Sequence, residues 1–186
     1  LTHAKIAFSL LTTSDLKKRL DNKLLKRQCG SKPSGAETIT HALQQTVIQK
    51  PTFDLFSADA VKAFYNLNRD LALQKLKTTC PEVYNMLLDK YNGCSNVFFN
   101  DLTQGVMKMC QEEGGSPGAP EMSLFYELGV SELVDNVANL SRQDSSTDPS
   151  QDGLIMGYID DIYWAAPFEK MVQVIAFVQD NGPKFG

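Results

Sequence analysis

Met156-Gly157-Tyr158-Ile159-Asp160-Asp161-Ile162-Tyr163-Trp164 decides how this chain is read. Apolar residues flank two adjacent carboxylates: Leu154, Ile155 and Met156 come before them, and Ile162, Tyr163 and Trp164 after. β-Branched and aromatic residues favour a pleated, buried strand. The pattern therefore predicts a tight hairpin with Asp160 and Asp161 at its turn. Neighbouring carboxylates repel unless a cation lies between them or one is protonated. Mg²⁺ suits such a pair, being a hard ion that takes oxygen ligands and leaves room for phosphate. The plain alternative is an Asp-Asp turn at the surface, where Asp is common.

The surrounding chain has 186 residues, enough for one domain with a sizeable core. With 42% hydrophobic and 22% charged residues, it reads as neither disordered nor membrane-embedded. No apolar run approaches the roughly 20 residues of a membrane span. The abrupt start at Leu1 suggests a segment of a longer polypeptide. Cys29, Cys80, Cys94 and Cys110 are widely spread, without a Cys-x-x-Cys pair. That spacing predicts no zinc site and no disulfide framework. Reduced thiols in an intracellular protein, nuclear or cytoplasmic, are the expectation. The net charge of −4 hides a gradient. Residues 1–50 hold nine Lys/Arg against three Asp/Glu, and residues 101–161 hold two against twelve. A basic end could meet a phosphate backbone or simply be a solvated helix face.

Leu16, Leu20 and Leu24 form an apolar stripe among Lys17, Lys18, Arg19 and Lys23, predicting an amphipathic helix that stops at Gln28-Cys29-Gly30. Ser34-Gly35-Ala36-Glu37 fits a capping box. The helix behind it carries Ile39, Leu43 and Val47, with His41 read as a surface or satisfied residue rather than a ligand. Phe53 to Ala58 reads as a buried strand ending at Asp59. Short helices follow through Phe64, through Leu71 and Leu76, and from Pro81 to Tyr91. Asn96 to Asn100 and Val106 to Cys110 are predicted to pair. Gly114, Gly115 and Gly118 lie in a loop whose backbone can come close to something. A helix through Leu124, Leu128, Leu133 and Val137 comes next. Residues 141–152 are polar and aperiodic, a flexible insertion, and Pro167 opens the last helix.

Asp59 and the Asp160-Asp161 pair meet at one sheet edge if their strands are neighbours. Carboxylates from separate strands can hold two Mg²⁺ roughly 4 Å apart, one activating an attacking oxygen and one stabilising a leaving phosphate. Nucleotidyl transfer depends on positioning and charge neutralisation rather than on a protein nucleophile. The lack of an evident Ser-His or Cys-His pair agrees with that.

This order of motifs resembles the palm of reverse transcriptases, most closely those of retrotransposons without long terminal repeats. Phe56-Ser57-Ala58-Asp59-Ala60-Val61-Lys62-Ala63-Phe64 resembles the first palm motif, Gly118-Ala119-Pro120 leading into Leu124-Phe125 the second, and Tyr158-Ile159-Asp160-Asp161 the third. Gly30-Ser31-Lys32-Pro33-Ser34-Gly35-Ala36-Glu37 with His41-Ala42 is similar to a fingers segment, and Asn181-Gly182-Pro183-Lys184-Phe185-Gly186 to the lead-in of the fourth motif. The likeness runs from about residue 11 to the end. It implies an α+β fold: a small antiparallel sheet with helices on one face, with residues 1–52 as partial fingers and 53–186 as palm, the thumb absent. It implies an RNA-directed DNA polymerase adding deoxynucleotides to a primer on an RNA or DNA template. Asp59, Asp160 and Asp161 would be catalytic and would bind two Mg²⁺ together with the Ala60 carbonyl. Phe64 would crowd a ribose 2′-hydroxyl, Gly118 would admit the incoming nucleotide and template, and Tyr158 would pack near the primer end. Partners would be template and primer, deoxynucleoside triphosphates, and the remaining fingers and thumb, with no membrane.

The sequence also departs from the family. Pro117 stands where a Gln usually precedes the second-motif glycine, and Ser9-Leu10 where an Arg-Pro pair opens the fingers. These departures keep open a degenerate nucleic-acid-binding module that no longer catalyses. A viral-type RNA polymerase is a third reading, opposed by Phe64, since such enzymes tend to carry Asp there.

Overall fold

The computed structural model describes residues 27–30, 32–142 and 152–186. The basic helix expected over 16–24, the site of Ser9, and residues 143–151 of the polar stretch lie outside them. The first helix, α1 (Gly35–Gln49), starts where the sequence signals it, but the capping box is not made. Ser34 is itself left-handed, at φ 53° and ψ 34°, and its side chain caps nothing. The cause is tertiary. A Cβ on Gly35 would lie 1.8 Å from the Cys29 carbonyl oxygen, so a tight turn back over Cys29 sets the backbone at Ser34.

The order continues as β1 (Asp54–Asp59), α2 (Ala63–Asn66), α3 (Arg69–Thr79) and α4 (Pro81–Tyr91). Then come β2 (Ser95–Asp101), β3 (Gly105–Gln111), α5 (Met122–Leu140), β4 (Leu154–Tyr158), β5 (Asp161–Ala166) and α6 (Phe168–Asn181). The Asn68 side chain caps α3 by accepting from Leu71 N at 3.2 Å. Pro81 opens α4, where its missing N–H costs nothing.

Three strands form an antiparallel sheet in the order β1-β5-β4. Gln28 extends it with a parallel bridge to Gly157 on the β4 side. Alternation places Phe56, Ala58, Ile155, Ile162, Trp164 and Ala166 on one face. That face packs on Val134, Val137 and Ala138 of α5 and on Met171 and Val174 of α6. A second cluster joins α2, α3, α4 and the first half of α5 through Leu67, Ala72, Leu76, Val83, Leu87, Tyr91 and Phe125. Helix α5 is buried on nearly all sides because its two halves serve different clusters. Helices on one face of a small antiparallel sheet make the fold α+β, as expected.

Two expectations are corrected. Strand β1 is not buried: Leu55 is 51% and Phe56 38% exposed. Among the described residues it is an outer strand, paired only with β5. The four cysteines are not all thiols either. Cys94 and Cys110 form a disulfide, while Cys29 and Cys80 are buried and outside any disulfide. Pairing of β2 with β3 brings the two bridged residues together across the hairpin base, which spacing alone does not reveal. This ribbon is exposed along nearly its whole length. The buried Arg69 ties its two feet to the body: Nε donates to the Gly114 carbonyl at 2.6 Å and Nη1 to the Gly93 carbonyl at 2.7 Å.

Two consequences are measurable. Phe125 is fully buried and stacks on Tyr91 with centroids 4.8 Å apart. Phe125→Ala will lower the unfolding free energy by about 3–5 kcal/mol in denaturant titrations. Glu121, before α5, pairs with Lys90 and accepts from the Tyr91 hydroxyl at 2.8 Å. Burial alone would raise its carboxyl pKa, but Lys90, its own backbone N–H and Tyr91 outweigh burial and hold it below the ordinary 4.5. A depressed carboxyl stabilises above its unfolded value and loses that contribution as pH falls through the lower, folded one. The stability gap between wild type and Glu121→Gln, about 2 kcal/mol at neutral pH, will therefore close as pH drops below 4.5.

Candidate active site

Strand register assembles the site. The β1–β5 ladder sets Asp59 directly opposite Asp161, and the β4–β5 ladder sets Tyr158 opposite Asp161 from the other side. Alternation gives Ala58, Gly157 and Ile162 to the helix-covered face, so Asp59, Asp161 and Tyr158 share the other one. Only Ile159 and Asp160 connect β4 to β5. Two-residue hairpin turns need positive φ to match strand twist, which favours Asn or Gly. Here Ile159 takes φ 57°, an uncommon and strained conformation for a β-branched residue. Its side chain packs against the second cluster, that of Leu67, Tyr91 and Phe125.

The three carboxylates act on two phenols. Burial pushes the Tyr126 hydroxyl pKa up, and Asp160 and then Asp59 push it further. The Tyr163 pKa is raised by burial, by the neighbouring Asp161 carboxylate, and by Asp160 and Asp59. Both phenols stay protonated at neutral pH, so Tyr163 can donate a hydrogen bond to the Asp161 carboxylate. Among the described residues, no three His, Cys, Asp or Glu side chains stand close enough together to hold a metal ion, so register puts Asp59, Asp160 and Asp161 at one sheet end without closing them into a ligand set. An oxygen-only donor set at an open sheet end fits a hard cation that takes further ligands from water or phosphate. Asp59, Asp160 and Asp161 could contribute to one. The Ala60 carbonyl accepts from Ala63 N at 3.3 Å and keeps a second lone pair.

Phe64 lies in α2, its ring edge-on to Tyr126 with centroids 5.7 Å apart. Its carbonyl accepts from Gly115 N at 2.6 Å, and the Leu67 carbonyl accepts from Gly114 N at 2.8 Å. Gly114 and Gly115 thus make the close backbone approach expected of the glycine loop, and they make it to the segment that carries Phe64. Gly118, at φ 82°, has open space where a Cβ would stand, just ahead of α5. Sequence reasoning missed Tyr126 and Gln28. Tyr126 directly follows the Leu124-Phe125 pair, and its adjacency to that motif was the available signal. Gln28 reads in the sequence only as part of a helix stop.

No protein-family model matches the chain. No curated protein matches it in sequence. Solved structures do share its fold. One is apo telomerase from Candida tropicalis, truncated from the C-terminal domain, at TM-score 0.60 and 12% identity over 99% of this chain and 37% of that one. Another is telomerase from Candida albicans in complex with the TWJ fragment of telomeric RNA, at TM-score 0.60 and 12% identity over 94% of this chain and 31% of that one. The chain therefore spans 37% and 31% of these two neighbours. The likeness shows a reverse-transcriptase-like fold.

Gly114 provides a check on how Phe64 is held. Its φ is 59°, and a Cβ there would lie 2.2 Å from the Tyr65 carbonyl oxygen and 2.3 Å from that of Phe64. Gly114→Ala will destabilise the chain by about 2 kcal/mol or more, read by thermal unfolding.

Proposed function

We propose that this chain is the palm and part of the fingers of an RNA-directed DNA polymerase, of the kind found in retrotransposons without long terminal repeats. Residues 1–52 would belong to the fingers and 53–186 to the palm. The polymerase would extend a primer on an RNA or DNA template with deoxynucleoside triphosphates, together with the remaining fingers and thumb. One observation carries the reading: Asp59 and Asp161 are cross-strand partners on one sheet face, with Asp160 in the adjoining turn. The reverse-transcriptase-like fold supports it.

Asp59, Asp160, Asp161 and the Ala60 carbonyl would hold two Mg²⁺. Bound there, the ions would supply activation of the attacking primer oxygen and charge neutralisation at the phosphate. The chain's own side chains do the orienting. Tyr163 shares the sheet face of Asp161, two residues along the same strand, and its protonated phenol can donate to that carboxylate. Tyr126 supports the Phe64 ring, which in this reading crowds a 2′-hydroxyl and favours deoxynucleotides. Tyr158, beside Asp161, is placed to pack near the primer end, and Gly118 leaves room for nucleotide and template. Among the described residues no helix is long and apolar enough to cross a membrane, and a nuclear or cytoplasmic site belongs to the same reading.

Pro117, in the place of the family's usual Gln, favours a second reading: a polymerase-like module that binds nucleic acid without catalysing. Primer extension on an RNA template, by the polypeptide carrying this chain, separates the two. Asp160→Asn will cut Mg²⁺-dependent deoxynucleotide addition by about 100-fold or more, the scale of losing a charge-stabilising group. Undiminished extension by Asp160→Asn would refute the site. Retained primer-template binding with no extension by either form would establish the binding module.

A further inference from the structure

Gln28 is a polar residue only 2% exposed, seated against the hairpin that carries Asp160. Its backbone is fixed on both sides. Gly157 N donates to the Arg27 carbonyl and Cys29 N to the Gly157 carbonyl, both at 2.8 Å. Arg27 also pairs with Asp135 of α5 at 2.6 Å, anchoring the segment to the helix beneath the sheet. The Gln28 amide lies flat across Gly157: a Cβ there would stand 2.7 Å from Cδ, Nε2 and Oε1 of Gln28. Glycine is thus the residue that makes room for the amide. From this seat Nε2 donates to the Ile159 carbonyl at 3.4 Å. Ile159 is the strained, left-handed residue of the turn.

The other end of the amide is costly. Among the described residues, Oε1 of Gln28 is buried without a hydrogen-bond donor. Leucine, of similar size, would fill the space with no unsatisfied oxygen, so stability alone favours an apolar side chain. A buried polar group that breaks this rule marks a place where function outweighs stability.

We propose that Gln28 is a positioning residue for the acidic turn. Keyed over Gly157, its amide holds the Ile159 carbonyl, and with it the turn that sets Asp160 beside Asp59 and Asp161. The catalytic consequence rests on the polymerase reading above; the mechanical one does not.

The test compares wild type with Gln28→Leu and, independently, Gly157→Ala, whose added methyl displaces the amide. Each polypeptide is examined by thermal melting, by amide hydrogen exchange and by primer extension on an RNA template. Gln28→Leu should melt at or above the wild-type temperature. In both variants the amides of residues 159–161 should exchange about tenfold faster than in wild type, the scale of one lost hydrogen bond, while the rest of the sheet is unchanged. The kcat for extension should fall about tenfold with primer-template affinity retained, the signature of a lost transition-state alignment. Unchanged exchange at 159–161 in both variants overturns the proposal. So does faster exchange with wild-type extension, or faster exchange spread over the whole sheet with a lowered melting temperature. Faster exchange confined to the turn, in a wild type that itself extends no primer, upholds the brace and refutes the polymerase reading instead.

Discussion

Strand β5 is paired on both sides, and its register with β1 is the constraint on which the rest depends. Side chains alternate along a strand, so a slip of one residue would send every side chain of β1 to the opposite face. Asp59 would then point at Val137 and Trp164, and Ala58 would face outward. The register is held from the covered face. Phe56 lies against Trp164 with centroids 4.5 Å apart, and Trp164 is packed among α5 and α6. Fully burying one large apolar side chain contributes about 1.5–3 kcal/mol, and a slip would forfeit several at once. The core under the sheet therefore determines which carboxylates meet on the other side.

Helix α5 couples this sheet to the rest of the chain. Its second half floors the sheet, and its first half packs among α2, α3 and α4. Tyr126 belongs to the first half, yet it feels Asp160 and Asp59 and touches Phe64. The glycine loop ahead of α5 presses against the backbone of α2. Phe64 is thus fixed twice by neighbouring chain segments, at its ring and at its carbonyl. Its short helix, four residues long, would not be stable alone.

Much of this was legible in the sequence because the signals are local. The apolar-carboxylate-apolar run around Asp160 gives a hairpin from periodicity alone. Pro81, Asn92-Gly93 and Pro167 mark element ends through backbone chemistry that holds in any context. What escaped depends on distant neighbours. Ser34 has an ideal capping sequence, but Gly35 is pressed on Cys29 and the turn overrides it. Strand β1 is apolar enough to be central, yet edge position is a property of topology, and the sequence of β1 says nothing of where β5 will pair. Cys94 and Cys110 meet through a strand register that their spacing does not encode. The carboxylates themselves were legible as candidates from type and spacing, while Tyr126, whose phenol feels two of them, and Gln28, which bonds to their turn, look like ordinary helix and loop residues.

The three carboxylates differ in how firmly the backbone holds them. Among the described residues, Asp161 sits on a strand paired along both edges, Asp59 on a strand paired along one, and Asp160 in a turn of two residues. Like charges at close quarters push apart, and the push displaces the least restrained group most. That group is Asp160, whose turn also carries the backbone strain of Ile159. Strand pairing cannot brace it, because the ladder ends at Tyr158 and Asp161. A brace must come from outside the hairpin, and the segment at Arg27–Cys29 is hydrogen-bonded to β4 one turn-length away. The buried amide of Gln28 and the glycine beneath it supply that brace at the weakest point of the acidic cluster.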